Sequence, residues 1–163
     1  MLEPLLSAWR NNPAIADHIA SWSSEEARAA KTYPVPEDMS PALAETLARR
    51  GIRHLYTHQA AAWRWSKAKK NIVVVTSTAS GKTFCYNLPI VDAVLQQPLL
   101  TSLYLFPTKA LTYDQEKIVT SLSGEAADVA HLPAPLVAVY DGDTPPAARV
   151  SIRQKARLLL TNP

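Results

Sequence analysis

The sequence predicts an α/β fold, in which helices cover both faces of a parallel sheet. From residue 71 onward, short apolar runs alternate with longer amphipathic segments, which is typical of strands that are buried on both faces. The 163 residues, 47% of them hydrophobic, are also enough for one substantial core. The predicted strands are residues 72–75, 103–106, 136–140 and 158–160.

The composition indicates a globular chain of mildly basic charge. Its 13 prolines are dispersed between apolar runs, and a net charge of +3 fits a nucleic-acid partner as well as many ordinary enzymes. The single cysteine, Cys85, excludes an internal disulfide and a multi-cysteine metal site, so a reducing, cytoplasmic location is expected. The N-terminus shows no signal-peptide pattern, and residues 84–108 contain Asp92 and several prolines, which argues against a membrane span.

Two regions precede the predicted sheet. Residues 1–33 place Trp9, Ile15, Ile19 and Trp22 at roughly helical spacing, which predicts a helical N-terminal extension that ends at the Pro34-Val35-Pro36 break. Residues 34–163 then form the main domain. Its first helix is predicted over residues 41–50, between a capping Ser40 and Gly51, and a second over residues 57–70, which Asn71 would end.

A phosphate-binding loop is predicted at residues 76–83, between the strand at 72–75 and a helix at 84–95. In such a loop, backbone N–H groups surround the phosphates of ATP, the lysine reaches the β and γ phosphates, and the next hydroxyl binds Mg²⁺. Lys82 and Thr83 match these last two roles, although Thr76 stands where the usual pattern has glycine. A surface turn with a lysine is the alternative, and the flanking strand and helix favour the phosphate site. The predicted loop contacts are Thr78, Ala79, Ser80, Gly81, Lys82 and Thr83.

Four segments together resemble the first motor domain of DEAD/DEAH-box superfamily 2 helicases: Gln59, the loop at 76–83, Phe106 to Leu111 with Gln115, and Thr161-Asn162-Pro163. More narrowly, "TSTASGKT", "LFPTKAL", "VYDGDTP" and "TNP" resemble the RecQ-like group of helicases with a cysteine-rich C-terminal domain. The resemblance covers residues 34–163 and implies an incomplete RecA-like domain.

The resemblance also implies roles for individual residues. Gln59 would recognise adenine through its amide, although a solvated helical glutamine is the alternative, and Lys82 would act in catalysis. His58 is interpreted as local packing or as solvent-facing. Thr108 fits a helix cap as well as a phosphate contact, and Arg149 and Arg153 fit a solvated basic face. The residues implied to contact the nucleic-acid backbone are Pro107, Thr108, Lys109, Gly142 and Thr161.

The acidic Asp-Glu pair that the family uses to hydrolyse ATP is not found after the loop. The adjacent acidic pairs, Glu25-Glu26 and Glu37-Asp38, precede it. The second motor domain that the resemblance implies is also missing, so these residues alone are predicted not to hydrolyse ATP.

The whole protein is interpreted as an ATP-dependent DNA helicase that moves 3′ to 5′. RNA is not excluded as the partner, because the implied contacts are to the backbone and the sequence identifies no residue that would recognise a 2′-hydroxyl. Two alternatives are a phosphotransferase with the same loop, which single-stranded DNA would not stimulate, and a non-catalytic nucleotide- or nucleic-acid-binding module, for which the natural product would end at Pro163.

Overall fold

The computed structural model describes residues 2–23, 26 and 29–163, which divide into two compact units at Ala30. The first unit contains the helices α1 (Glu3–Arg10) and α2 (Pro13–Ala16). Its Arg10 guanidinium lies 4.3 Å from the centroid of the Trp22 ring. The predicted acidic pair at 25–26 falls partly outside the described residues.

The second unit, from Lys31 onward, contains one antiparallel strand pair and one parallel sheet. Strands β1 and β2 are antiparallel, with Tyr33 opposite Leu55. In the parallel sheet, β5 lies between β3 and β4, and Leu158 is in register with both Ser102 and Val137. The elements are β1 (Thr32–Pro34), α3 (Pro41–Arg49), β2 (His54–Tyr56), α4 (Thr57–Lys67), α5 (Thr83–Gln96), β3 (Ser102–Leu105), α6 (Lys109–Val129), β4 (Val137–Val139), α7 (Pro146–Lys155) and β5 (Leu158–Thr161).

The predicted α/β class with a parallel sheet is confirmed. The core forms where α3, α5 and α6 pack with β5, whose Leu158 and Leu160 are fully buried. Along β3, Tyr104 is buried while Leu103 and Leu105 point the other way and are exposed. The described residues therefore cover one face of β3 and leave the other face open.

The prediction of a strand at residues 72–75 is wrong for the described structure. These residues are extended and alternate as a strand does: Ile72 and Val74 line a cavity beside α5, whereas Val73 and Val75 are 89% and 88% exposed. No strand in the described part of the chain pairs with this segment, so it has no partner for ladder hydrogen bonds. A period-2 pattern predicts which side chains are covered, but not which strand lies alongside.

In the second unit the predicted helices are found, although one end and one cap differ. Helix α4 starts at Thr57 as predicted but ends at Lys67, before the predicted end at Lys70, because Lys69 has a left-handed φ of +55°. Gly51 ends the α3 segment with a left-handed φ of +77°. The prediction that Ser40 caps α3 is wrong, because its side chain makes no capping hydrogen bond. Instead, the Ser40 backbone N–H donates to the Asp92 carboxylate at 2.9 Å.

Asp92 is a buried hub that joins α3, α4 and α5. Its side chain is fully buried, and besides Ser40 it accepts hydrogen bonds from Lys67 Nζ and Gln96 Nε2, both at 2.8 Å. The Lys67 ammonium also lies 4.7 Å from the centroid of the Trp63 ring. A buried carboxylate with three donors is stabilised because both of its oxygens find hydrogen-bond partners in place of water.

Within the described residues, no helix is both long and apolar enough to cross a membrane.

Candidate nucleotide and nucleic-acid site

The predicted phosphate loop lies between the extended segment and the first residue of α5. Two of its residues, Ala79 and Gly81, have left-handed φ values of +57° and +78°. The φ of Gly81 favours glycine, and a Cβ atom there would come within 2.6 Å of Gln59 Nε2 and displace the end of that side chain. The hydroxyls of Thr76 and Ser80 are 2.7 Å apart, and their hydrogen bond connects the start of the loop to its later part.

Lys82 is folded onto its own loop. Its ammonium donates to the carbonyl of Thr76 at 3.1 Å and to the carbonyl of Ser77. In the described residues, the backbone N–H groups of Gly81, Lys82 and Thr83 have no hydrogen-bond acceptor. The helix N-terminus therefore presents three unused amide donors and one nearby ammonium, which is the donor set that a phosphate chain requires.

Gln59 is buried against the loop rather than solvated. Its Oε1 accepts the Tyr56 backbone N–H at 2.9 Å, and its Nε2 donates to the Gly81 carbonyl at 2.8 Å. One amide hydrogen and one oxygen lone pair remain, the pair of functions that can read a base edge. Gln59 lies in a cleft of about 710 Å³, which is also lined by Gly51, Ile52, Arg53, His54, Tyr56, Gly81, Thr83, Phe84 and Ile118.

His58 contacts the phosphate loop, which sequence reasoning missed. Its Nε2 lies 2.9 Å from the Ser80 carbonyl oxygen, and its ring stacks on Tyr56 with an interplanar angle of 9°. The interpretation of His58 as local packing is confirmed by its stacking on Tyr56, and the solvent-facing alternative is wrong because the side chain is half-buried. Its position next to Gln59 on the first turn of α4 was the one available signal.

Cys85, two residues after the predicted Mg²⁺ ligand Thr83, is a buried side chain in α5. Burial raises the pKa of the Cys85 thiol, so the neutral form is favoured. Among the described residues, no group of three or more His, Cys, Asp or Glu side chains is arranged to hold a metal ion.

The predicted nucleic-acid residues are brought together at one edge of the parallel sheet. Thr108 follows β3, Gly142 follows β4, and Thr161 ends β5. Because the three strands are parallel and adjacent, their carboxyl ends meet at the same edge. The Phe106 N–H donates to the Thr161 carbonyl at 2.9 Å, so Pro107 and Thr161 are near neighbours there.

Thr108 and Lys109 have defined partners at this edge. Thr108 Oγ1 accepts the Leu111 N–H at 3.3 Å, which confirms the predicted helix cap. Lys109 Nζ lies 2.5 Å from Asp143 Oδ2, and this hydrogen bond raises the pKa of the Lys109 ammonium. The lysine is exposed, so it keeps its charge and can exchange one oxyanion partner for another.

The turn that contains Gly142 is held by its own polar groups. Asp141 Oδ1 accepts the Asp143 N–H at 3.0 Å, and Arg149 Nε donates to the Thr144 carbonyl at 2.9 Å. Arg149 therefore braces the turn, which corrects the expectation of a solvated basic face; Arg153 does remain exposed. A Cβ at Gly142 would meet no atom within 4 Å, so this side of the turn is open.

Relatives of known name match the chain over most of its length. YprA of Bacillus subtilis, an uncharacterized ATP-dependent helicase, is 39% identical over 163 residues, covering 99% of this chain and 20% of YprA. The ATP-dependent helicase HRQ1 of Saccharomyces cerevisiae is 39% identical over 115 residues, covering 69% of this chain and 10% of HRQ1. This chain therefore spans about a fifth or less of the length of these relatives.

Solved structures give the same result. The DUF1998 helicase MrfA, bound to DNA and AMPPNP, matches with a TM-score of 0.85 and 38% identity, over 99% of this chain and 21% of that one. The Mycobacterium smegmatis helicase Lhr, bound to ssDNA and AMP-PNP, matches with a TM-score of 0.63 and 28% identity, over 77% of this chain and 17% of that one. The family model for DEAD/DEAH box helicases matches residues 56–163, from the residue before α4 through the loop to the end of the chain. The chain belongs to the DEAD/DEAH box helicase family.

Proposed function

We propose that this chain is the ATP-binding part, and a portion of the nucleic-acid-binding part, of an ATP-dependent DNA helicase of the RecQ-like group that moves 3′ to 5′. The observation that carries the proposal is the hydrogen bond from Gln59 Nε2 to the Gly81 carbonyl at 2.8 Å. This hydrogen bond connects the Gln59 amide, which can recognise a base, to the loop that can bind phosphates. One cleft can therefore hold both the base and the phosphates of a nucleotide.

The donor set of the loop fits ATP. Adenine would enter the cleft beside Gln59, where one amide hydrogen and one lone pair are unused. The N–H groups of Gly81, Lys82 and Thr83 would bind the phosphate oxygens. Lys82 would exchange two loop carbonyls for phosphate oxygens, which are stronger partners for an ammonium. The Thr83 hydroxyl, at the start of α5, would hold the Mg²⁺ that accompanies ATP and shields its charge.

The carboxyl edge of the sheet fits a nucleic-acid backbone. The Lys109 ammonium and Thr108 hydroxyl are phosphate donors, and the open side of Gly142 leaves room for a backbone to approach. The solved structures of MrfA and Lhr show those helicases bound to DNA, which supports DNA as the partner here. The 3′-to-5′ direction rests on the resemblance to the RecQ-like group alone.

We also infer that these 163 residues bind ATP without turning it over. No adjacent Asp-Glu pair follows the loop in the sequence, and such a pair would be needed to orient the attacking water. In the whole protein, ATP turnover that single-stranded DNA stimulates would support a helicase over a phosphotransferase.

The test of the ATP site compares Lys82→Ala with Lys117→Ala, a matched change at an exposed lysine on α6. Calorimetric titration with Mg-ATP should show at least tenfold weaker binding for Lys82→Ala, since a hydrogen bond to a charged group contributes about 1.5–3 kcal/mol. Lys117→Ala should bind like the parent chain. Equal affinity for all three proteins would refute the proposed site.

The test of the nucleic-acid edge uses Lys109→Ala with the same Lys117→Ala control on α6. Binding of a fluorescent single-stranded DNA should weaken, and the slope of log K against log salt should fall by about 0.7, because one phosphate contact is lost. A parallel titration with RNA of the same sequence compares the two backbones. An unchanged salt slope would exclude Lys109 as a phosphate contact.

A further inference from the structure

We propose that His58 is a positioning residue of the phosphate loop, which sets the direction of the Gly81 N–H by holding the Ser80 carbonyl. The inference rests on the proposed function of this loop in binding ATP. It assigns His58 no contact with the nucleotide, since the imidazole acts through the backbone.

The chemistry of the contact fixes which atom carries the proton. A carbonyl oxygen can only accept, so the 2.9 Å separation between His58 Nε2 and the Ser80 oxygen requires a hydrogen on Nε2. Both the Nε2–H neutral tautomer and the imidazolium satisfy this requirement. The stacked Tyr56 ring, 5.9 Å away between centroids, holds the imidazole in the plane that reaches the loop.

Holding a carbonyl orients the amide on the other side of the same peptide bond. The described peptide bonds are all trans, and in a trans peptide the C=O and the following N–H point in opposite directions. His58 draws the Ser80 carbonyl toward α4, so the Gly81 N–H points away from α4. Gln59 donates a hydrogen bond to the next carbonyl, that of Gly81. The Lys82 N–H, on the other side of that peptide bond, therefore also points away from α4. Two consecutive residues of α4 thus direct two consecutive phosphate donors.

This loop needs such external support because its own backbone is strained. Ala79 holds a φ of +57°, a left-handed conformation that costs a residue with a Cβ about 1 kcal/mol or more. The adjacent Ser77 and Thr78 are exposed, so packing does not hold them in place. His58 contributes a fixed contact directly after the strained residue.

The roles of His58 and Gln59 can be tested separately, because each residue affects the binding of a different part of ATP. Gln59 has hydrogen-bonding capacity left for a base, whereas the His58 ring reaches only the loop backbone. A defect at His58 should therefore weaken binding of phosphates and leave binding of the nucleoside unchanged. A general structural defect would weaken both.

The experiment uses two complementary variants of the 163-residue chain. His58→Phe keeps the ring and its stacking on Tyr56 but removes the N–H, and His58→Gln keeps a side-chain N–H of similar reach but removes the ring. Calorimetry with Mg-ATP, inorganic tripolyphosphate and adenosine should show about three- to tenfold weaker binding of the first two ligands to His58→Phe, the effect of one hydrogen bond. Adenosine binding should be unchanged, and His58→Gln should recover most of the loss.

Other outcomes would distinguish failure of the His58 proposal from failure of the proposed ATP site. If the parent chain binds ATP and His58→Phe binds tripolyphosphate equally well, the His58 inference is wrong while the ATP site stands. If both variants lose adenosine and tripolyphosphate alike, His58 has only a structural role. If the parent chain binds no ATP, both proposals fail. A ¹⁵N spectrum of the parent chain needs no variant to fold, and a His58 Nε2 without a hydrogen would overturn the inference directly.

Discussion

Replacing the buried Asp92 carboxylate by an amide should destabilise the second unit strongly. In Asp92→Asn, the oxygen that faces Ser40 can be kept, but an NH₂ group then replaces the oxygen that accepts from both Lys67 and Gln96. The variant loses two hydrogen bonds to an ionised acceptor, at about 1.5–3 kcal/mol each. The expected loss in the free energy of unfolding is therefore about 3–6 kcal/mol.

Urea titration followed by tryptophan fluorescence can measure this loss. Trp63 is buried in the second unit, whereas Trp9, Trp22 and Trp65 are exposed, so most of the signal change reports the unfolding of that unit. Glu45→Gln is the matched control, because it removes the carboxylate of an exposed ion pair with Arg49 and should cost less than about 0.5 kcal/mol. If Asp92→Asn costs no more than Glu45→Gln at an unchanged urea slope, the hub does not stabilise the fold as argued.

Two further changes test single contacts. Hydrogen bonds from Arg50 lower the pKa of Glu125 from 4.5 to about 2, so its contribution to stability is complete above pH 4.5 and is lost as the pH falls toward 2. The advantage of the parent chain over Glu125→Gln, less than about 1 kcal/mol for this exposed pair, should therefore vanish across that range in urea titrations at stepped pH. Gly81→Ala should weaken ATP binding at least about tenfold, because its Cβ would displace Gln59. Gly124→Ala, at a helical glycine on α6 where a Cβ would also meet open space, should bind ATP normally, and equal ATP binding by the two variants would count against the steric argument.

Sequence patterns predicted the helices and strands whose formation depends on residues within the same segment. The α4 helix was predicted with its correct start and with an end at Lys70 instead of Lys67, and the strands at 103–106, 136–140 and 158–160 correspond to β3, β4 and β5. In each case, the spacing of apolar residues and the adjacent breaks lie within the segment itself. The segment at 72–75 failed because a strand also depends on a neighbour that its own pattern does not specify.

Site residues that belong to a sequence motif were predicted. Contacts that depend on a partner far away in the sequence were missed. The loop and Gln59 were found because their residue types and order are specific. His58 was missed because its acceptor is a backbone carbonyl 22 residues away, and Ser40 was misjudged because its N–H is held by Asp92, 52 residues away. Main-chain partners leave no signature in residue identity, so the position of His58 beside Gln59 was the one signal for these contacts.

The contacts at the two ends of α4 also fix the direction in which it runs. His58, near its start, lies at the beginning of α5, and Lys67, its last residue, reaches Asp92 in the later part of α5. The two helices therefore run parallel, and the chain must return about 16 Å, the length of α4, through the extended residues 71–75 before it enters the loop. Parallel helices place their positive dipole ends side by side, each equivalent to about half an elementary charge. The loop is thus flanked by two partial positive charges of the backbone itself, which would attract an anion even before any side chain moves.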